Sequence, residues 1–187
     1  MTFIMQTTLA DASLCNAIIA LHQKSDMKTA GCIGNEKGER IVDKNVKDSV
    51  DCVFDPNTEE FTKYVEELRG ISKQYIDKYP YSGAYANWGL SETINLQYYA
   101  PNGGYKEWHT ERSKGTGLVG ARHLAFMTYL NDVTDCGYTE FYHQDLKFQP
   151  RKGMTLVWPS DWTYTHRGVP SPSQEKYIAT GWFSYFE

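Results

Sequence analysis

From Tyr79 onward the chain is written as short runs of β-branched and aromatic residues, each closed by turn-forming residues. The runs cover 93–99, 122–130, 138–142, 154–158 and 176–185, and the breaks are Pro-Asn-Gly-Gly at 101–104, Asn-Asp at 131–132, Pro-Arg-Lys-Gly at 150–153 and Ser-Pro-Ser at 171–173. Several strands with turns at short intervals specify an antiparallel sandwich or barrel. All five Trp lie at or after position 88, so the aromatic weight sits in this half. Side-chain alternation assigns faces: Asn95, Gln97 and Tyr99 share one face of their strand, and Lys176, Ile178, Thr180 and Trp182 share one face of theirs.

The first half reads differently. Leu14, Ile18 and Leu21 recur at helical spacing behind Asp11, which is placed to cap. Asn57-Thr58-Glu59-Glu60 reads as the start of a second helix, whose apolar face runs through Phe61, Tyr64, Val65, Leu68, Ile71 and Tyr75 to about Lys78. Gly70 lies inside it. Between the helices, 31–55 reads as loop with one or two short strands, around 40–46 and 50–54. The expected whole is one α+β domain over 1–187, with helical support and edge strands in 1–90 and the β core in 91–187.

A formal charge of −4 and a pI near 5.7 lack the basic footprint of a nucleic-acid binder. The longest unbroken apolar run, 17–21, falls far short of the ~20 residues of a membrane span. The first residues carry no basic group ahead of their apolar stretch, which does not read as a signal peptide. Four cysteines without a CxxC pair fit reduced thiols, so a soluble cytoplasmic protein is expected. Oligomeric state is left open.

His109 and Glu111 stand two apart. In an extended strand they would point to the same side and reach one metal ion, and one distant His would complete a two-His, one-carboxylate face with three octahedral positions open. Chance also supplies such pairs: His143 and Asp145 form a second one. That pair follows the 138–142 run in what reads as a turn, and only 21 positions separate Asp145 from His166 against 55 for Glu111. A distal ligand across a barrel needs several strands between, which favours 109 and 111.

Read in order, LQYYAPNGGYKEWHTE (96–111), RHLAFMTYLNDV (122–133), CGYTEF (136–141), QPRKGMTLVWP (149–159) and HRGVPSPSQEKYIATGWF (166–183) resemble the iron(II)/2-oxoglutarate-dependent dioxygenases, in their prolyl 4-hydroxylase-like branch. The resemblance implies a double-stranded β-helix (a jelly-roll, cupin-like barrel) buttressed by the N-terminal helices. It implies His109, Glu111 and His166 as iron ligands and catalytic centre, and Lys176 as the cation for the distal carboxylate of 2-oxoglutarate. Tyr99, Tyr129 and Thr139 match further residues of the cosubstrate pocket. Arg122 matches a position near the substrate mouth, although by itself it reads equally as a surface salt-bridge residue. Tyr98, Trp158 and Trp182 read as core, and His123 as structural.

The implied cofactors are Fe(II), 2-oxoglutarate and O2, with ascorbate as an accessory reductant. The implied reaction is hydroxylation of a C–H bond, best matched to a prolyl residue of a peptide or protein. Alternatives are hydroxylation of a free amino acid or other small molecule, and a non-catalytic β-helix binding module. Neither a nucleic-acid nor a membrane partner is expected. The family usually has Asp where this chain has Glu111, and Gly-Gly where it has Cys136-Gly137.

Overall fold

The computed structural model describes residues 2–34, 39–113 and 117–186. In it, α1 (Ser13–Lys24) turns Leu14, Cys15, Ile18 and His22 inward. Asp11 assists one position earlier than a cap would: its carboxylate accepts the Ser13 N–H at 2.8 Å, while Ala12 occupies the N-cap without a side-chain bond. Thr58 does cap α2 (Glu59–Lys78), accepting the Phe61 N–H at 3.2 Å. The buried stripe of α2 is Tyr64, Leu68, Ile71 and Tyr75, the spacing of a helix with one face on a core. Gly70 faces away, with nothing within 4 Å of where a Cβ would stand.

Both helices lie against a large antiparallel sheet ordered Met5–Thr8, Met154–Pro159, Arg122–Tyr129, Lys176–Tyr185, Asn95–Tyr99, Val50–Val53, Thr29–Ala30, with Trp88–Leu90 on the far end of Lys176–Tyr185. Alternation divides its side chains as expected. Leu96, Leu124, Phe126, Val157, Tyr177, Ala179 and Phe183 pack with the helices. Tyr99, Ala125, Met127, Tyr129, Leu156, Trp158 and Ile178 form a second core on the opposite face. On the helix side a buried chain of hydroxyls, Tyr64–Thr128–Thr155, closes at 2.7 Å per step, so these polar groups are paired where water is excluded.

The second core is covered by a smaller antiparallel sheet, Leu146–Phe148, Thr139–Phe141 and His166–Gly168. Phe141 meets Trp158 edge-on across the gap, with ring centroids 5.4 Å apart. The two sheets thus enclose an apolar interior whose open end carries polar residues.

Several local expectations shift. Met5–Thr8 is an edge strand that its short, polar sequence did not announce. The 138–142 run shortens to Thr139–Phe141 and turns back through 142–145, with Asp145 at φ 52°. Residues 31–55 hold more short strands than expected, with Ile33–Gly34 paired to Arg40–Ile41 and Lys47–Asp48 to Gly104–Tyr105. His109 and Glu111 do not sit in a regular strand: His109 makes one isolated bridge to His166, and the chain bends after it. The four cysteines are unpaired. Among the described residues no helix is long and apolar enough to cross a membrane.

Candidate metal centre

The His109–His166 bridge brings two distant imidazoles together, their centroids 4.3 Å apart. Each ring is oriented by its own main chain. Nδ1 of His109 lies 3.0 Å from the Glu107 carbonyl, and Nδ1 of His166 lies 3.0 Å from that of Tyr164. A carbonyl only accepts, so both Nδ1 atoms carry the proton and both Nε2 lone pairs are free. Oε1 of Glu111 stands 3.2 Å from His166 Nε2 and 3.8 Å from His109 Nε2. The three donor atoms lie within 4.8 Å of one another. Ligand atoms about 2.0–2.2 Å from one ion on a single face of an octahedron stand roughly 3 Å apart, so modest closing onto an ion suffices.

The surroundings hold this group. Tyr105 stacks flat on His109 at 3.6 Å. The Trp182 indole N–H donates to Oε2 of Glu111 at 2.8 Å, leaving Oε1 to face the imidazoles. Arg122 donates through Nη1 to the Glu111 main-chain carbonyl at 2.8 Å. Its guanidinium is forked onto Glu92 with two bonds of 2.7 Å and covers the Trp182 ring at 3.5 Å. Burial pushes the His109 imidazolium well below its ordinary pKa, which keeps the ring neutral as a ligand must be. For Glu111 burial acts in the opposite sense, and the polar surroundings of His166, His109 and the Trp182 indole N–H outweigh it and hold the carboxyl below the usual range.

Deeper in the same cavity Lys176 is 4% exposed, opposite Tyr99 in the strand register. Its ammonium donates to the Gly137 carbonyl at 2.9 Å and lies 5.1 Å from the Tyr99 ring. No carboxylate of the described residues pairs with it. Burial pulls its pKa down to about 8. The Tyr129 hydroxyl donates to Thr139 at 2.6 Å, and Thr139 lines the cavity while Tyr129 stands behind it. Tyr99 donates to Gln97 at 2.7 Å, its phenol pushed well up by burial. The turn that presents the Gly137 carbonyl is left-handed at two successive residues, Cys136 (φ 58°) and Gly137 (φ 71°).

Of the residues singled out from sequence, His109, Glu111, His166, Lys176, Tyr99, Thr139 and Arg122 line one cavity of about 490 Å³. Arg122 reaches it with a guanidinium already engaged by Glu92 and Glu111. The rival pair stands apart: His143 and Asp145 occupy the exposed 142–145 turn. His123 is held by the Ser82 carbonyl and the Tyr185 hydroxyl, a structural setting. Sequence reasoning missed the part played by Trp182, Glu92 and Tyr105. Strand parity placed Trp182 on the inner face, but nothing local names a partner 71 positions away.

The residues fit a metal and a carboxylate-bearing cosubstrate. Two imidazoles and one carboxylate leave half of an octahedron open. A buried ammonium without a counter-charge is costly until an anion meets it, and the buried indole N–H of Trp158 also lacks an acceptor.

A facial two-histidine, one-carboxylate group at the end of a two-sheet fold is the arrangement of the non-haem iron oxygenases. Residues 94–184 match the 2OG-Fe(II) oxygenase superfamily. The match spans just under half of the chain, which is similar there to that superfamily and to its prolyl 4-hydroxylase-like members. A putative prolyl 4-hydroxylase of Acanthamoeba polyphaga mimivirus is 32% identical over 108 residues, covering 50% of this chain and 45% of that protein. The chain therefore spans about half the length of this curated relative. The viral collagen prolyl hydroxylase of Paramecium bursaria Chlorella virus-1, solved with 2-oxoglutarate, superposes with a TM-score of 0.70 at 16% identity, over 100% of this chain and 97% of that one. A Pseudomonas putida prolyl-4-hydroxylase gives 0.74 at 19% identity, over 98% and 94%. A Trichoplax adhaerens prolyl hydroxylase, solved with a hypoxia-inducible-factor peptide fragment, gives 0.73 at 16% identity, over 100% and 84%.

Proposed function

We propose that this protein is an Fe(II)- and 2-oxoglutarate-dependent dioxygenase that hydroxylates a prolyl residue in a peptide or protein, and that 1–187 form one domain whose two sheets make a double-stranded β-helix. The observation that carries the reading is the pairing, in one cavity, of a three-donor group with a buried ammonium that has no counter-charge.

His109, Glu111 and His166 hold the metal through Nε2, Oε1 and Nε2. A bound Fe(II) would let O2 act as the oxidant, with one oxygen atom entering the C–H bond and the other entering succinate as 2-oxoglutarate loses CO2. Lys176 binds the far carboxylate of the cosubstrate, with Thr139 beside it and Tyr129 fixing the Thr139 hydroxyl. Tyr99 walls the pocket with a phenol kept protonated by burial. Trp158, Phe141 and Met127 keep the interior dry, which strengthens each charge contact and keeps water from the reacting centre. Ascorbate serves as an external reductant.

The cavity wall includes Ile33, Gly34 and Arg40 of the short two-stranded ribbon and Val119 of α3 (Gly117–Ala121). A slot between two chain excursions suits a peptide segment. Relatives named as prolyl hydroxylases, one solved with a peptide fragment, support the same substrate class. The test is succinate release with Fe(II) and 2-oxoglutarate across Pro-containing peptides and free amino acids, with mass spectrometry of the products. A peptide-dependent signal and a gain of one oxygen on proline are expected. Release driven only by a free amino acid overturns the substrate, and no turnover with any member overturns the reading.

A further inference from the structure

Glutamate is an awkward choice at position 111. Its extra methylene gives the carboxylate more rotamers than aspartate has, and both oxygens can swing onto one ion. A carboxylate bound through both oxygens would occupy one of the three positions that a two-histidine, one-carboxylate face leaves open.

The structure separates the two oxygens. Oε1 faces the imidazoles, and Oε2 is held at 2.8 Å by the Trp182 indole N–H. The indole is held in turn, since Arg122 covers its face at 3.5 Å and is forked onto Glu92. The same guanidinium fixes the Glu111 main-chain carbonyl at 2.8 Å. Both ends of Glu111 are therefore tied to one stacked pair that comes from the neighbouring strands Arg122–Tyr129 and Lys176–Tyr185.

We propose that Trp182, locked by Arg122 and Glu92, is the positioning residue that lets glutamate serve at 111, by holding Oε2 off the ion so that Glu111 binds through one oxygen. The inference rests on the metal-site reading above. Aspartate is one methylene shorter and draws its carboxylate back from Trp182, so the indole bond has its weight with glutamate. Trp182 acts through Glu111 and need not touch the ion.

The test uses Mn(II), a redox-stable probe, with wild type, W182F, E111D and the double variant, each checked for folding by thermal melting. W182F is expected to change Mn(II) affinity about tenfold, the size of effect that follows loss of an outer partner of a metal ligand. In the E111D background the same substitution is expected to shift it less than about twofold, because the carboxylate already stands back from the indole. An equal change in both backgrounds, or none in W182F, overturns the inference.

Water-proton relaxation of Mn(II)-loaded W182F gives an independent answer should E111D bind too weakly to compare. The contribution of ion-bound water is expected to fall by about a third as Oε2 takes one of three open positions, and an unchanged value overturns the inference. If W182F does not fold, E92Q, which frees the Arg122 fork and keeps the indole, takes its place in both measurements. A wild type that binds no Mn(II) overturns the metal site itself, an outcome distinct from either result above.

Discussion

The main chains of His109 and His166 exchange hydrogen bonds in both directions, N–H to carbonyl at 3.0 Å each way. Two imidazoles 57 positions apart are thus set side by side by backbone pairing, and each ring is aimed by a carbonyl two residues before it. Removing either side chain leaves that pairing intact. H109A and H166A are expected to keep their fold and melting behaviour. Each should lose Mn(II) affinity by more than the roughly 10–100-fold that an outer partner costs, as read by electron paramagnetic resonance titration.

Lys176 predicts a pH signature. Its folded-state pKa of about 8 lies below the ~10.4 of an exposed lysine. Between those values the unfolded chain binds more protons, so stability without cosubstrate rises with pH across that window. The difference in urea unfolding between wild type and K176M isolates this contribution, and it should shrink as pH climbs from 8 toward 10. The role proposed for Lys176 requires the charged amine, so 2-oxoglutarate affinity is expected to fall about tenfold per pH unit above 8. K176M should bind the metal but not the cosubstrate.

Cys136 adopts the left-handed conformation at φ 58° and its side chain is exposed. A non-glycine residue there costs about 1–2 kcal/mol, partly offset by the greater chain entropy glycine loses on folding. C136G is therefore expected to stabilise the protein by up to about 1 kcal/mol without moving the Gly137 carbonyl that meets Lys176. At Gly70, in helical conformation with open space around it, G70A should add about 1 kcal/mol through helix propensity. Denaturant titration checks both.

Thr128 sits between Tyr64 and Thr155 in the hydroxyl chain beneath the large sheet. T128V keeps the volume but strands the Tyr64 hydroxyl in a buried position. A loss of about 1–3 kcal/mol is expected in the same titration, the cost of an unsatisfied buried polar group.

What was legible in the sequence follows from the range of each interaction. Period-two alternation told the two faces of Asn95–Tyr99 and Lys176–Tyr185 apart, because parity is a property of the strand itself. Helical spacing did the same for α2. Met5–Thr8 and His166–Gly168 are short and partly polar, and only their partners make them strands. Asp11 reads as a cap in the sequence, which does not say whether the first turn starts at 12 or 13. Regular strand geometry was not what aligned His109 with Glu111; a bridge to His166 and a bend did that. The Glu111–Trp182–Arg122–Glu92 assembly joins four segments, so no local pattern encodes it.

The proposed iron and 2-oxoglutarate site is tested most directly by anaerobic absorption spectroscopy of the protein with Fe(II), before and after 2-oxoglutarate. A visible charge-transfer band is expected that appears only with both components, is lost in H109A and H166A, and persists in H143A. A folded protein that gives no band, or a band that survives H109A and vanishes in H143A, contradicts the proposed site.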